Sequence, residues 1–184
     1  KENDMPLGYI LYTISDKNLI IKELVYNTPH ARKALLQLAA NHSGQVENII
    51  RYAPAYDTDY LQMADPRGKL EKQTYVMGRI HDIGGALSGL TYMGEGFVIQ
   101  VKDSFSEESK CYFIEQVNQV SNAAETCRDA DIVTDIQTLN QLLWGYIHPY
   151  TALAEGMLNC RDDRAMQNLA KLFPPMCNYM TEDY

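Results

Sequence analysis

The sequence predicts a mixed α/β (α+β) chain in two parts, a partial sheet-and-helix layer over residues 1–75 and a second α/β domain over residues 76–184. Three observations predict it. A strand, strand, helix, strand order reads out of residues 8–52; two alternating runs rich in β-branched and aromatic residues fill 97–101 and 111–117; and acidic N-cap residues open a helical last third. With 184 residues, 46% of them hydrophobic and 22% charged, the chain is long enough to bury a core. Its 11 glycines and 7 prolines follow no period, which excludes collagen-like and fibrous classes. No uncharged apolar run approaches the roughly 20 residues that span a bilayer, so no membrane segment is expected. The opening Lys-Glu-Asn-Asp lacks the basic-then-apolar build of a signal peptide, so a cytoplasmic protein is expected. Lys1 in first place, with a strand beginning within a few residues, reads as a piece of a longer protein.

The first strand is Gly8 to Ser15, which Asp16-Lys-Asn18 breaks before a second strand from Leu19 to Tyr26. Thr28 is a natural N-cap and Pro29 fits the first helical position of a helix running to Asn41, with Ala34, Leu35, Leu38 and Ala39 expected on one face. A third strand is expected from Val46 to Tyr52, stopped by Pro54. Residues 57–72 read as a loop or short helix with a turn at Asp65-Pro66-Arg67-Gly68, and Gln73 to Ile80 as a strand. A short helix fits Asp82 to Leu90 despite Gly84 and Gly85. Phe97–Val101 and Cys111–Val117 then make a hairpin, and Ile132–Thr134 a further strand. Asp135 caps a helix to Trp144, Tyr150–Met157 forms a second, and Asp162-Asp163 open a third that ends near Leu172 before Phe173-Pro174-Pro175. In the tail, Tyr179 and Tyr184 are large enough to dock.

Charge is unevenly divided. Residues 1–92 hold ten Lys/Arg and ten Asp/Glu, whereas residues 93–184 hold six against fourteen, so the net charge of −8 belongs to the second half. Such a field repels phosphate backbones, which argues against nucleic acid, and admits an amine-bearing substrate; a solvated acidic surface explains it equally well. Cys111, Cys127, Cys160 and Cys177 form no CxxC pair and read as reduced structural thiols. His30, His42, His81 and His148 are scattered, with no HExxH, so no metal site is expected. His148-Pro149 reads as a helix boundary and His81 as a surface residue. Asp57, Asp59 and Asp65 could face a divalent cation but lack the spacing of an EF-hand loop. Trp144, Tyr146, Phe173 and Tyr179 fit either a ligand cavity or core. No P-loop or GxGxxG is present, and in Arg79-Ile-His-Asp-Ile-Gly-Gly85 the glycines stand too far from the arginine for a pyrophosphate turn at a helix N-terminus.

Met77-Gly-Arg-Ile-His-Asp82, Val98-Ile-Gln-Val-Lys-Asp103, Ala130-Asp-Ile-Val-Thr-Asp135, Leu139 to Gly145, Leu153-Ala-Glu-Gly-Met157, Leu172-Phe-Pro174 and the acidic-aromatic end follow in an order of their own. That order resembles the C-terminal part of the Eis-type (enhanced intracellular survival) GNAT N-acetyltransferases. Residues 1–75 are similar to the latter portion of their central GNAT-like domain, with Gly8-Tyr9 and Glu23-Leu24 at comparable places, and residues 76–184 to their sterol-carrier-protein-like domain. The resemblance covers nearly the whole chain and rests on the order of weak motifs. It implies acetyl transfer from acetyl-CoA to an amine (an aminoglycoside, a polyamine or a lysine side chain). It also implies that acetyl-CoA binds a domain missing from this chain, that the fragment alone is inactive, and that the protein is a homo-oligomer, a trimer or hexamer.

The resemblance further implies that the α-carboxylate of Tyr184 is the catalytic general base, with Glu182 and Asp183 beside it on the substrate. The chemistry agrees: an ammonium must lose a proton to become nucleophilic, and clustered carboxylates bind the cation and accept that proton. From residue types alone, Glu182-Asp183-Tyr184 also reads as a solvated acidic tail. Two other functions remain open: a lipid- or hydrophobe-binding sterol-carrier-like module, and a structural module for oligomer contacts.

Overall fold

The computed structural model describes residues 5–54, 57–62, 68–72 and 77–176, and divides them into two compact units that part between Leu70 and Glu71.

In the first unit, β1 (Gly8–Ser15) and β2 (Asn18–Tyr26) form an antiparallel hairpin, and β3 (Asn48–Arg51) adds to β2 in parallel after the crossover helix α1 (Pro29–Ala40). Asp16 and Lys17 both take positive φ, 49° and 62°, the pairing of a two-residue turn whose twist matches the strands it joins. At Gly8 an added Cβ would sit 2.4 Å from the Val25 carbonyl oxygen, so the strands can approach there only without a side chain. Thr28 Oγ1 accepts the Ala31 N–H at 3.1 Å and Pro29 stands in the first turn, so the local chemistry opens α1 as expected. The covered face of the helix differs from the expected one. Ala31 and Ala39 are buried and Leu35 half-buried, while Ala34 is exposed and Leu38 is 42% exposed. The buried stripe thus runs at i, i+4, i+8 through Ala31, Leu35 and Ala39, and the small Ala39 lets the helix settle close onto Leu19 and Ile21.

Below α1, the 3-10 turn Asp59–Gln62 is bound by charge rather than by apolar contact. Asp59 accepts from both Arg32, whose Nε lies 2.8 Å away, and Arg51; Arg51 Nη2 donates to Asp57 at 2.9 Å. The carboxylates expected as possible cation ligands are therefore arginine partners; Asp65 lies outside the described residues.

The second unit is a five-stranded sheet ordered β6-β5-β4-β7-β8, from β4 (Phe97–Asp103), β5 (Glu108–Val117), β6 (Val120–Thr126), β7 (Ile132–Asp135) and β8 (Leu158–Cys160). One face carries Phe97, Ile99, Val101, Ile114, Ile132 and Leu158, and α3 (Ile136–Leu143), α4 (Pro149–Ala154) and α5 (Asp163–Leu172) close over it with Leu139, Leu142, Ala152, Met166 and Leu169. Aspartates cap as read from sequence: Asp82 for the short α2 (Ile83–Leu87), Asp135 for α3 and Asp162 for α5, while His148 caps α4. Two strands, β6 and β8, were not expected. Conversely, residues 77–80 of the expected strand Gln73–Ile80 belong to no strand, because they cross α3 instead, where the Asn140 amide donates to the Gly78 carbonyl at 3.0 Å. Residues 73–76 lie outside the described residues. No described helix is long and apolar enough to cross a membrane.

Candidate functional site

The crossing segment Met77 to Asp82 is fixed at three points, and the fixings shape the concave surface of the second unit. Gly78 accepts from Asn140, and a Cβ there would press on both Asn140 and Trp144. Arg79 donates to Asp103 Oδ2 at 2.8 Å while its guanidinium lies 4.5 Å from the centre of the Phe105 ring. Asp82 closes the segment by accepting the Gly85 N–H at 3.0 Å. A cleft of about 280 Å³ opens on the side of Asn140, Leu143 and Trp144, and one of about 450 Å³ on the side of β4 and β5.

The larger cleft has an apolar floor of Ile80, Ile83, Val101 and Ile136 and a charged mouth. Within that mouth, Arg79 pairs with Asp103 and Lys110 with Glu108 at 3.5 Å. The Phe105 N–H is the largest influence on the Asp103 carboxyl; burial, the next largest, opposes it, and Ser106 and the Arg79 charge add to Phe105 to hold the carboxyl below its ordinary value. Tyr112 lines the cleft from β5, is only 7% exposed, and its hydroxyl makes no hydrogen bond with any described residue. Burial pushes this phenol up, which keeps it neutral and able to donate or accept.

Tyr184, Glu182 and Asp183, the site residues expected from sequence, lie outside the described residues, as do Tyr179 and Cys177. Of the other aromatics, Trp144 lines the smaller cleft, Phe173 is buried in the core, and Tyr146 is exposed beside Lys72, whose ammonium lies 4.9 Å from its ring centre. His81 lies at the edge of both clefts and is exposed. Cys111, Cys127 and Cys160 are free thiols, and burial raises the Cys160 thiol. Asp103, Lys110 and Tyr112 were missed as site residues: they join Asp82 only through strand pairing and the long connection across α3, which spacing does not encode.

Fit to an acyl-CoA pyrophosphate can be tested at α1, the described helix of the first unit that follows a strand. The preceding turn, Tyr26-Asn-Thr-Pro29, holds no glycine; Pro29 has no N–H, and the Ala31 N–H is already taken by Thr28. That helix end does not fit the group.

Two domain profiles match the chain. The GNAT acetyltransferase domain profile matches residues 1–80 and the sterol carrier protein domain profile residues 83–181. Among solved structures, the chain is similar to Eis1 from Mycobacterium abscessus (20% identity, TM-score 0.67, 96% of this chain and 48% of that one). It is also similar to GCN5-related N-acetyltransferases from Anabaena variabilis ATCC 29413 (18%, 0.75, 99% and 48%) and Kribbella flavida (17%, 0.67, 96% and 46%). The chain therefore spans about half the length of the solved chains it matches. No curated protein sequence matches it. With more than half of its residues inside that second profile, the chain belongs to the sterol carrier protein domain family, and a GNAT acetyltransferase domain precedes that domain.

Proposed function

We propose that this chain is the acceptor-side half of an acetyl-CoA-dependent N-acetyltransferase acting on an amine: an aminoglycoside, a polyamine or a lysine side chain. The observation that carries this reading is the order of parts, a GNAT domain followed directly by a sterol carrier protein domain, in a fold shared over 96–99% of the chain with solved N-acetyltransferases. The closed N-terminus of α1 supports the view that the acyl donor is held outside this chain, so no step through it is derived. On this reading the α-carboxylate of Tyr184 takes the proton from the substrate ammonium, and Glu182 and Asp183 hold the cation. Calorimetric titration of the chain with acetyl-CoA tests the division of labour: no binding is expected, and tight stoichiometric binding would overturn it. Extending a full-length protein past Tyr184 tests the base. Turnover should fall by at least about 100-fold, the lower end of what a general base contributes.

A second reading, a hydrophobe-binding module, is favoured by one specific observation, the match of residues 83–181 to the sterol carrier protein domain profile.

A further inference from the structure

We propose that the outer face of the first unit's sheet, the face turned away from α1, is where a second copy of this chain packs, sheet against sheet.

Strand register defines that face. Tyr9 stands opposite Val25 and Leu11 opposite Glu23, while Thr13 stands opposite Ile20, which pairs in turn with Ile50 of β3. The alternate residues Ile10, Tyr12 and Leu24 pack with Leu19, Ile21 and Ala39 of α1, so the set holding Tyr9, Leu11, Val25 and Ile50 points the other way. These four are between 40% and 53% exposed. Large apolar side chains that adjoin one another on a surface, unlike single scattered ones, mark a place of contact.

Charge selects the occupant. Residues 1–70 hold eight Lys/Arg and eight Asp/Glu, whereas residues 71–178 hold eight against fourteen. Two copies meeting through the second unit would bring like net charges together; two copies meeting through the first would not. On the face itself, Tyr9 donates its hydroxyl hydrogen to Glu23 Oε2 at 2.9 Å, and Glu23 has Lys22 as its neighbour in sequence. A face with so little net charge asks for no charged partner, and an apolar face matches its own copy across a twofold axis.

Area sets the strength. With strands of 8, 9 and 4 residues, spaced about 4.8 Å apart, the face has a footprint of at most roughly 400 Å². That is about half of the ~800 Å² per partner in a standard interface. The dimer is therefore weak and reversible.

Sedimentation equilibrium of the whole chain tests this. The average mass should climb from 20.9 kDa toward twice that value as concentration rises from about 10 µM to about 1 mM, the range in which weak interfaces assemble. Leu11→Glu and Ile50→Glu fall at exposed positions and should leave amide protection in α1 unchanged. Each should weaken association at least about tenfold, because packing would bury a carboxylate without a partner. Val117→Glu, at a similarly exposed position of the second unit, should leave association as it was. A chain that stays monomeric throughout, a dimer that Leu11→Glu or Ile50→Glu leaves intact, or one that Val117→Glu disrupts, overturns the proposal.

Discussion

The two units are stabilised by different means. The second surrounds its sheet with a continuous apolar cluster that includes Ile99, Ile132, Leu139 and Leu169, all fully buried. The first has Leu19, Ile21 and Ala39 as its buried cluster and leaves Tyr9, Leu11, Val25 and Ile50 between 40% and 53% exposed. Its outlying turn is held by Asp57, Asp59, Arg32 and Arg51 instead. Dispersion and the hydrophobic effect grow with the area removed from water, so the first unit leans on a few directional contacts where the second leans on many weak ones. The lesson is that damage should be graded in one unit and concentrated at single residues in the other.

The comparison breaks most visibly in the core of the second unit. Leu139→Ala should cost about 3–5 kcal/mol and lower amide protection across β4, β7 and α3 in hydrogen exchange; a loss under about 1 kcal/mol would mean that the cluster is loosely packed. Next comes Asp59→Ala, which removes the carboxylate shared by two largely buried arginines and should cost about 2–4 kcal/mol, with exchange rising in the first unit and unchanged in the second. Equal effects in both units would remove the distinction. Tyr92 sharpens it by pH. Burial pushes its phenol up to about 12, so the neutral form is favoured in the fold. Stability from this group is complete below pH 10 and is lost as pH rises from 10 to about 12. Alkaline unfolding should therefore begin in the second unit, and Tyr92→Phe should abolish that component of the pH dependence. Smallest is Thr28→Ala, which deletes the cap of α1 and should cost about 1 kcal/mol by thermal melting.

What could be read from sequence was local. The β1–β2 hairpin, the Thr28-Pro29 opening of α1 and the Asp135 and Asp162 caps each depend on residues within a few positions of one another, so their chemistry is visible in a linear string. Strand β6, Val120 to Thr126, contains Ser, Asn, two Ala and Glu; its pairing with β5 and the Asn118-Gln119 turn make it a strand, not its composition. β8 is three residues long and exists because Thr134, Val133 and Ile132 offer it an edge. Residues 77–80 failed the other way, being strand-like in composition yet without a sheet edge to join. In the cleft, Asp82 was visible as a helix cap, but its place opposite Tyr112 depends on sheet register, and the charges of Asp57 and Asp59 were visible without their arginine partners.

The two tight hairpin turns place Asp16, Lys17, Asn118 and Gln119 in the left-handed region without a single glycine. Lysine and glutamine are poorly suited there, at about 1–2 kcal/mol each, so both turns hold an unused margin. Glycine at positions 17 and 119 would raise melting temperature without touching core or cleft, which makes the bends of this protein the natural places to toughen it.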